Sequence, residues 1–164
     1  MKKSTRVVFG AFAVSLVASV VASVAPASAA VNCDPYSGYK SMKGKTVTIF
    51  TSILEPELTT LNTAKKDFET CTGVKIKIEG SNQFEALLPV RVKGGNAPDI
   101  AWIPQPGLLQ KMVATGKVVP APKAVVANIK KYWSASWADL GSVNGKIYAA
   151  PFGSNMKSLV WYSP

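Results

Sequence analysis

Nine carboxylates and no histidine bound what this chain could catalyse. Without imidazole the commonest general base is missing, as are Ser-His and Cys-His nucleophile pairs and histidine-ligated metals. What remains is a pair of carboxylates converging on one bond, the arrangement a glycosidase needs. Glu55 and Glu79 fall near the ends of adjacent predicted strands and come closest to such a pair. Both have plainer roles. Glu55 stands at capping-box spacing from Ser52, and Glu79 alternates with Lys75 and Lys77 on a wet strand face. The reading is of a non-enzyme with no catalytic residue, no metal ligand and no cofactor.

A second set of residues suits binding. In an open parallel sheet, ligands sit outside the carboxyl ends of the strands. Those ends are Thr51-Ser52, Gly80-Ser81-Asn82 and Pro104-Gln105, all small, polar and uncharged. Helix N-termini follow the first two and supply free N–H donors. A phosphate site would want a glycine-rich cradle with Lys or Arg, which these loops lack. Such a rim fits a neutral, hydroxyl-rich ligand, although any one Ser, Thr or Asn here could simply cap a helix. Phe84, Trp102, Phe152 and Trp161 are candidates for stacking on a sugar ring, and Trp102 is favoured by its position at a strand end.

The elements that must position these residues follow from periodicity. Lys45–Phe50 is β-branched and aromatic and predicts a central strand. A helix opening at Ser52 and Glu55 carries Leu58, Leu61, Ala64 and Phe68 at helical spacing and ends at Gly73. Val74, Ile76 and Ile78 alternate with Lys75, Lys77 and Glu79 in a second strand. A helix through Phe84, Leu87, Leu88 and Val92 comes next, with a kink expected at Pro89. Asp99–Ile103 predicts a third strand, and Leu108, Leu109, Met112 and Val113 a third helix, stopped at Gly116. The β-α-β-α-β-α order predicts an α/β fold with a mostly parallel sheet and helices on both faces. Beyond it, residues 121–137 read as irregular helix with Tyr132, Trp133 and Trp137 packed inside. Asn144-Gly145 signals a hairpin, and Ser158–Tyr162 a final strand.

The first residues read as an export leader. Lys2, Lys3 and Arg6 precede an apolar run over residues 7–24, and Ala27-Ser28-Ala29 supplies a signal-peptidase site between Ala29 and Ala30. The rival is a membrane anchor, for which the run is at the short end of the roughly 17–25 residues needed. Export to an oxidising compartment predicts a Cys33–Cys71 disulfide, worth about 4 kcal/mol in the chain-entropy model. The rival here is lipid attachment at Cys33. That wants a small residue just before the cysteine and Leu three before it, where this chain has Asn32 and Ala30. The formal charge of +10 comes mostly from lysines spread along the chain. A spread of this kind reads as a solvated surface with weak attraction to anionic cell-surface polymers, not as a nucleic-acid site.

Four motifs in order carry a family resemblance. Gly44–Phe50 resembles the first strand of the family 1 extracellular solute-binding proteins, the class that includes maltose-binding protein. Phe68-Glu69-Thr70-Cys71-Thr72-Gly73-Val74-Lys75-Ile76 is similar to their F-E-x-x-T-G-I-K-V element. Gly94–Ile100 matches G-x-x-P-D-I, and Val143–Pro151 matches N-G-K-x-Y-x-x-P. The cysteine pair, with I-P-Q-P-G, looks most like the α-glucoside-binding branch. The resemblance implies a periplasmic-binding-protein type II-like lobe, truncated before most of a second lobe. It implies a leader over 1–29, a first lobe over 30–155 and the start of a crossover over 156–164. It implies capture of a neutral oligosaccharide for a membrane permease and its ATPase, by a secreted monomer. Carried over by alignment, the ligand contacts are Thr51, Ser52, Ser81, Asn82, Gln83, Gln105 and Asn155. Rival readings are another small ligand on the same fold (a polyamine, iron or a phosphonate), an exported glycan-processing enzyme, or a surface adhesin or sensor subunit; the absent histidine counts against a metal binder.

Overall fold

The computed structural model describes residues 30–153. The leader expected over 1–29, Asn155, the strand expected at Ser158–Tyr162 and the candidate Trp161 lie outside them. Contacts divide the chain between Ala30 and Val31, and every described helix and strand belongs to the unit beginning at Val31.

Three parallel strands form the main sheet in the order β2-β1-β3, with β1 Thr46–Thr51, β2 Lys75–Gly80 and β3 Ile100–Trp102. The central place expected for the first strand is the one it takes. Its side chains alternate between faces. Phe50 is fully buried against α3 (Phe84–Lys93) and α4 (Pro106–Val113), in a cluster with Phe84, Leu88, Leu108 and Met112. The Phe50 and Phe84 rings lie 4.8 Å apart. Burying side chains of this size contributes about 1.5–3 kcal/mol each. Ile49 points to the opposite face, beside α1 (Glu57–Ala64) and α2 (Lys66–Thr72), which lie along β2. The sheet therefore has helices on both faces. No described helix is long and apolar enough to cross a membrane.

Asp99 explains why β3 starts where it does. Its carboxylate accepts the Thr48 N–H (2.8 Å) and hydroxyl (2.7 Å), and its own N–H donates to the Thr48 hydroxyl. The end of the G-x-x-P-D-I motif thus pins the start of β3 to β1. These bonds, the backbone one foremost, hold the Asp99 carboxyl below the usual aspartate range.

Several local expectations are corrected. The single helix expected from Ser52 to Gly73 is two, broken at Lys65, whose ammonium reaches over to the Ile76 carbonyl and to Glu69. The Ser52–Glu55 capping box does not form. Instead Glu55 reaches forward, its carboxylate accepting the Thr59 N–H at 3.1 Å and the Thr59 hydroxyl at 2.6 Å. α3 runs through Pro89 as one helix. The irregular helix expected after residue 121 is α5 (Lys123–Tyr132) and α6 (Ala135–Leu140). Tyr132 is not inside but 69% exposed, while Trp133 and Trp137 are half-buried and pack edge to face. Gly73 adopts the left-handed conformation at the end of α2, as its position demands. Asn144-Gly145 makes the hairpin turn between β4 (Ser142–Val143) and β5 (Lys146–Ile147), both residues with positive φ.

Cys33 and Cys71 are disulfide-bonded, with Cα atoms 5.2 Å apart. The bond staples the 3₁₀ segment Asp34–Met42 to α2, and Tyr36 and Tyr39 pack edgewise on Phe68 beside it.

Candidate functional site

The register places all three strand ends level: Thr51 is opposite Gly80 on one side and Trp102 on the other. The chain leaves β1 for β2 on one flank and returns to β3 on the other. This is the topological switch point at which open α/β sheets take ligands. α3 and α4 begin at this end, so their first-turn N–H groups face it without intrahelical partners.

The first two loops are locked together. Ser81 N–H donates to the Thr51 carbonyl at 2.9 Å. Gly80 lets the Ile53 carbonyl cross the end of β2, since a Cβ there would lie 2.1 Å from that oxygen. Only glycine allows this approach. Its role was hidden in the sequence, where Gly80 reads as ordinary turn punctuation.

The expected ligand residues divide into two groups. Ser52, Asn82, Gln83 and Gln105 are exposed at the rim. Trp102 is half-buried and stacks on Phe152 at 4.6 Å and 17° between planes. Ser81 is half-buried, and its hydroxyl accepts the Gln83 N–H. Thr51 is fully buried, its hydroxyl accepting the Ile53 N–H at 3.2 Å. It supports the first loop and does not line the rim. Phe84, offered as a stacking surface, is core.

Glu85 is a site carboxylate that the sequence did not single out. In the first turn of α3, it accepts a hydrogen bond from the Gln105 side-chain amide at 2.8 Å. Beside it lies a recess of about 290 Å³ that Lys111 also lines. Glu85 sits at the favourable end of a helix dipole, a placement that says helix first turn and gives no hint in sequence of a bond 20 residues away.

The carboxylates that could have made a glycosidase pair are engaged elsewhere. Glu55 holds the start of α1. Glu79 is gripped by both Arg91 terminal nitrogens, at 2.9 and 2.5 Å, and that guanidinium lies 4.0 Å over the Phe50 ring. Arg91, not the wet-face lysines, is the partner of Glu79 and holds its carboxyl below the usual range. Among the described residues no group of three or more acidic or cysteine side chains is placed to hold a metal.

No family model matches the chain. It is 34% identical over 121 residues to the osmoprotective compounds-binding protein GgtB of Synechocystis, covering 73% of this chain and 29% of that protein. It is 33% identical over 130 residues to the alpha-glucosides-binding periplasmic protein AglE of Rhizobium meliloti, covering 75% and 28%. Among solved structures, it is similar to a family 1 extracellular solute-binding protein from Alicyclobacillus acidocaldarius. That likeness has a TM-score of 0.57 and 27% identity, over 65% of this chain and 27% of that one. The chain thus spans less than a third of the length of the proteins it matches. Over that span, in sequence and in fold, it is a relative of the family 1 extracellular solute-binding proteins, with a periplasmic-binding-protein type II-like architecture.

Proposed function

We propose that residues 30–155 form the first lobe of the substrate-binding component of an ABC importer, one that captures a neutral oligosaccharide of the α-glucoside kind. Residues 156–164 begin the crossover to a second lobe. Residues 1–29 direct export and are removed between Ala29 and Ala30. The disulfide at Cys33 supports a lipid-free protein, because a sulfur in a disulfide cannot also carry a lipid thioether. The protein acts as a monomer, without cofactor or catalysis, and hands its ligand to a permease driven by an ATPase.

The observation that carries this reading is the level row of polar loops at the carboxyl ends of β1, β2 and β3. The names of the two sequence relatives support the ligand class. Capture is a population shift: an open form binds sugar through this lobe, and closure adds contacts from the other. Ser52, Ser81, Asn82, Gln83, Gln105 and Asn155 meet hydroxyls, Thr51 holds its loop beneath them, and Trp102 offers a ring face.

Titration calorimetry on the two-lobed protein tests this, with maltose, trehalose and sucrose as neutral sugars. Glucosylated osmolytes, a polyamine, ferric iron and a phosphonate complete the panel. A neutral glucoside is expected to bind at micromolar or lower Kd, and residues 30–164 alone to bind it far more weakly. Tight binding of the polyamine, the iron or the phosphonate, hydrolysis of a chromogenic glucoside, or micromolar sugar binding by residues 30–164 alone overturns the reading.

A further inference from the structure

Gln105 stands between Pro104 and Pro106, and its backbone is extended, with φ −152° and ψ 143°. A residue ahead of proline is confined to this region, so Pro106 sets the main chain of Gln105. Gln105 is also the N-cap of α4, yet its side chain makes no capping bond to that helix. The amide crosses to α3 instead and bonds the Glu85 carboxylate at 2.8 Å. Main chain and side chain are both tied down, on a residue that remains exposed at the rim.

Which way round that amide lies is decided by chemistry. A carboxylate accepts hydrogen bonds and donates none, so only the Nε2 side of Gln105 can face Glu85. Oε1, the acceptor of the amide, is turned away from Glu85, and among the described residues it has no partner. An unanchored glutamine amide has a broad, nearly two-fold terminal torsion and can offer a ligand either its oxygen or its nitrogen. Glu85 removes that choice. The carboxylate is itself well placed, in the first turn of α3, where negative charge is favoured. Lys111 lines the recess beside it but, among the described residues, forms no ion pair with it.

We propose that Glu85 is a positioning residue that sets the polarity of the rim at Gln105. The rim there takes a ligand group that donates a hydrogen bond, a hydroxyl. It disfavours groups that only accept, such as an ether oxygen, fluorine, a carboxylate or a phosphate. Glu85 does this through Gln105, without touching the ligand, and its charge adds to the exclusion of anions. This depends on the sugar-binding function proposed above and adds a selection rule to it: one hydroxyl of the sugar gives its proton to Gln105.

The two-lobed protein tests this without and with ligand. Without ligand, the Gln105 side-chain amide is followed by nitrogen–proton correlation spectra. One of its protons is expected downfield, exchanging with water more slowly than the side-chain amides of Gln83 and Gln110, which are exposed. Both features should vanish in Glu85→Lys, whose ammonium only donates and draws the Gln105 oxygen to itself. With ligand, calorimetry compares maltose and trehalose with derivatives in which fluorine, a weak acceptor, replaces one hydroxyl at a time. At one hydroxyl the parent is expected to lose at least about tenfold, and in Glu85→Lys the same change should cost less than about threefold. Glu85→Gln, which keeps an acceptor, should lie between. In a Gln105→Ala background, Glu85→Lys should change maltose binding by less than about twofold, as befits a residue acting through another. Equal weakening of every sugar by Glu85→Lys, a Gln105 amide unchanged in that variant, or a full Glu85→Lys effect without Gln105 would each overturn the proposal. If neither sugar binds the parent, the sugar-binding function falls and the hydroxyl rule with it, while the ligand-free amide spectra still decide whether Glu85 holds Gln105.

Discussion

At its carboxyl end the β2-β1-β3 sheet presents Ser52, Asn82, Gln83 and Gln105, uncharged groups that both donate and accept hydrogen bonds. At its outer edge the same sheet is met by the chain's own charges: the Glu69 carboxylate accepts the Ile76 N–H and the Lys65 ammonium donates to the Ile76 carbonyl. The first end suits a ligand recognised by many directed, neutral hydrogen bonds. At the second, an ion pair of the chain itself occupies the strand edge. The two ends are also held differently. The rim is set by backbone geometry, through the Ser81–Thr51 bond and the space at Gly80. The outer edge is set by side chains and a covalent staple, through Lys65, Glu69 and the Cys33–Cys71 bond. Perturbing one should leave the other standing.

The largest expected effect is loss of the disulfide. Replacing Cys33 and Cys71 by Ser should cost about 4 kcal/mol for a loop of this length, read by urea unfolding. Amide exchange should accelerate first in residues 34–42, α2 and the outer edge of β2, with the Ser81 amide protected as before. Equal acceleration at Ser81 would show the two ends to be one unit. Thr51→Val comes next. It leaves the buried shape nearly unchanged but strips the acceptor from the Ile53 N–H, at about 1–3 kcal/mol. Sugar binding by the two-lobed protein should weaken about tenfold, while amide protection at Ile76 is unchanged. Loss of both would break the separation.

Acid should give the smallest effect near neutrality. The Glu69, Glu79 and Asp99 carboxyls are all held below their ordinary values, Glu69 chiefly by the Ile76 N–H. Their contribution is fully present above the unfolded values of about 4 and is lost as pH falls through the lower folded ones. Stability should therefore be flat above about pH 5 with respect to these groups and fall below about pH 4. Glu69→Gln should blunt that fall and loosen the contact of α2 with β2, with amide exchange at Ile76 as the readout; exchange at Ile53 should not move.

Much of this was legible because it is local. The β-branched run of β1, the strict alternation of β2 and the Asn144-Gly145 turn each depend on neighbours within a few residues, and each appears where expected. So does the level rim, because parallel order with helices between strands leaves one place for the loops. The departures share a cause. Glu55 found Thr59, not the helix start that Ser52 suggested. The helix that Leu61, Ala64 and Phe68 would have continued divides at Lys65, whose ammonium bonds the Ile76 carbonyl at the edge of β2. Tyr132, aromatic and beside a tryptophan, lies at the surface since no described element covers it.

By itself the sequence determined where strands and helices form, that two cysteines could meet, and which polar residues end the strands, because periodicity and turn chemistry act over short distances. Only the tertiary structure decided that Glu85 holds Gln105, that Gly80 must lack a Cβ, and that Lys65 and Glu69 meet the edge of β2 at Ile76. Those facts depend on which segments lie side by side, and parallel pairing of β1 with β2 sets next to each other strands that the chain keeps some thirty residues apart.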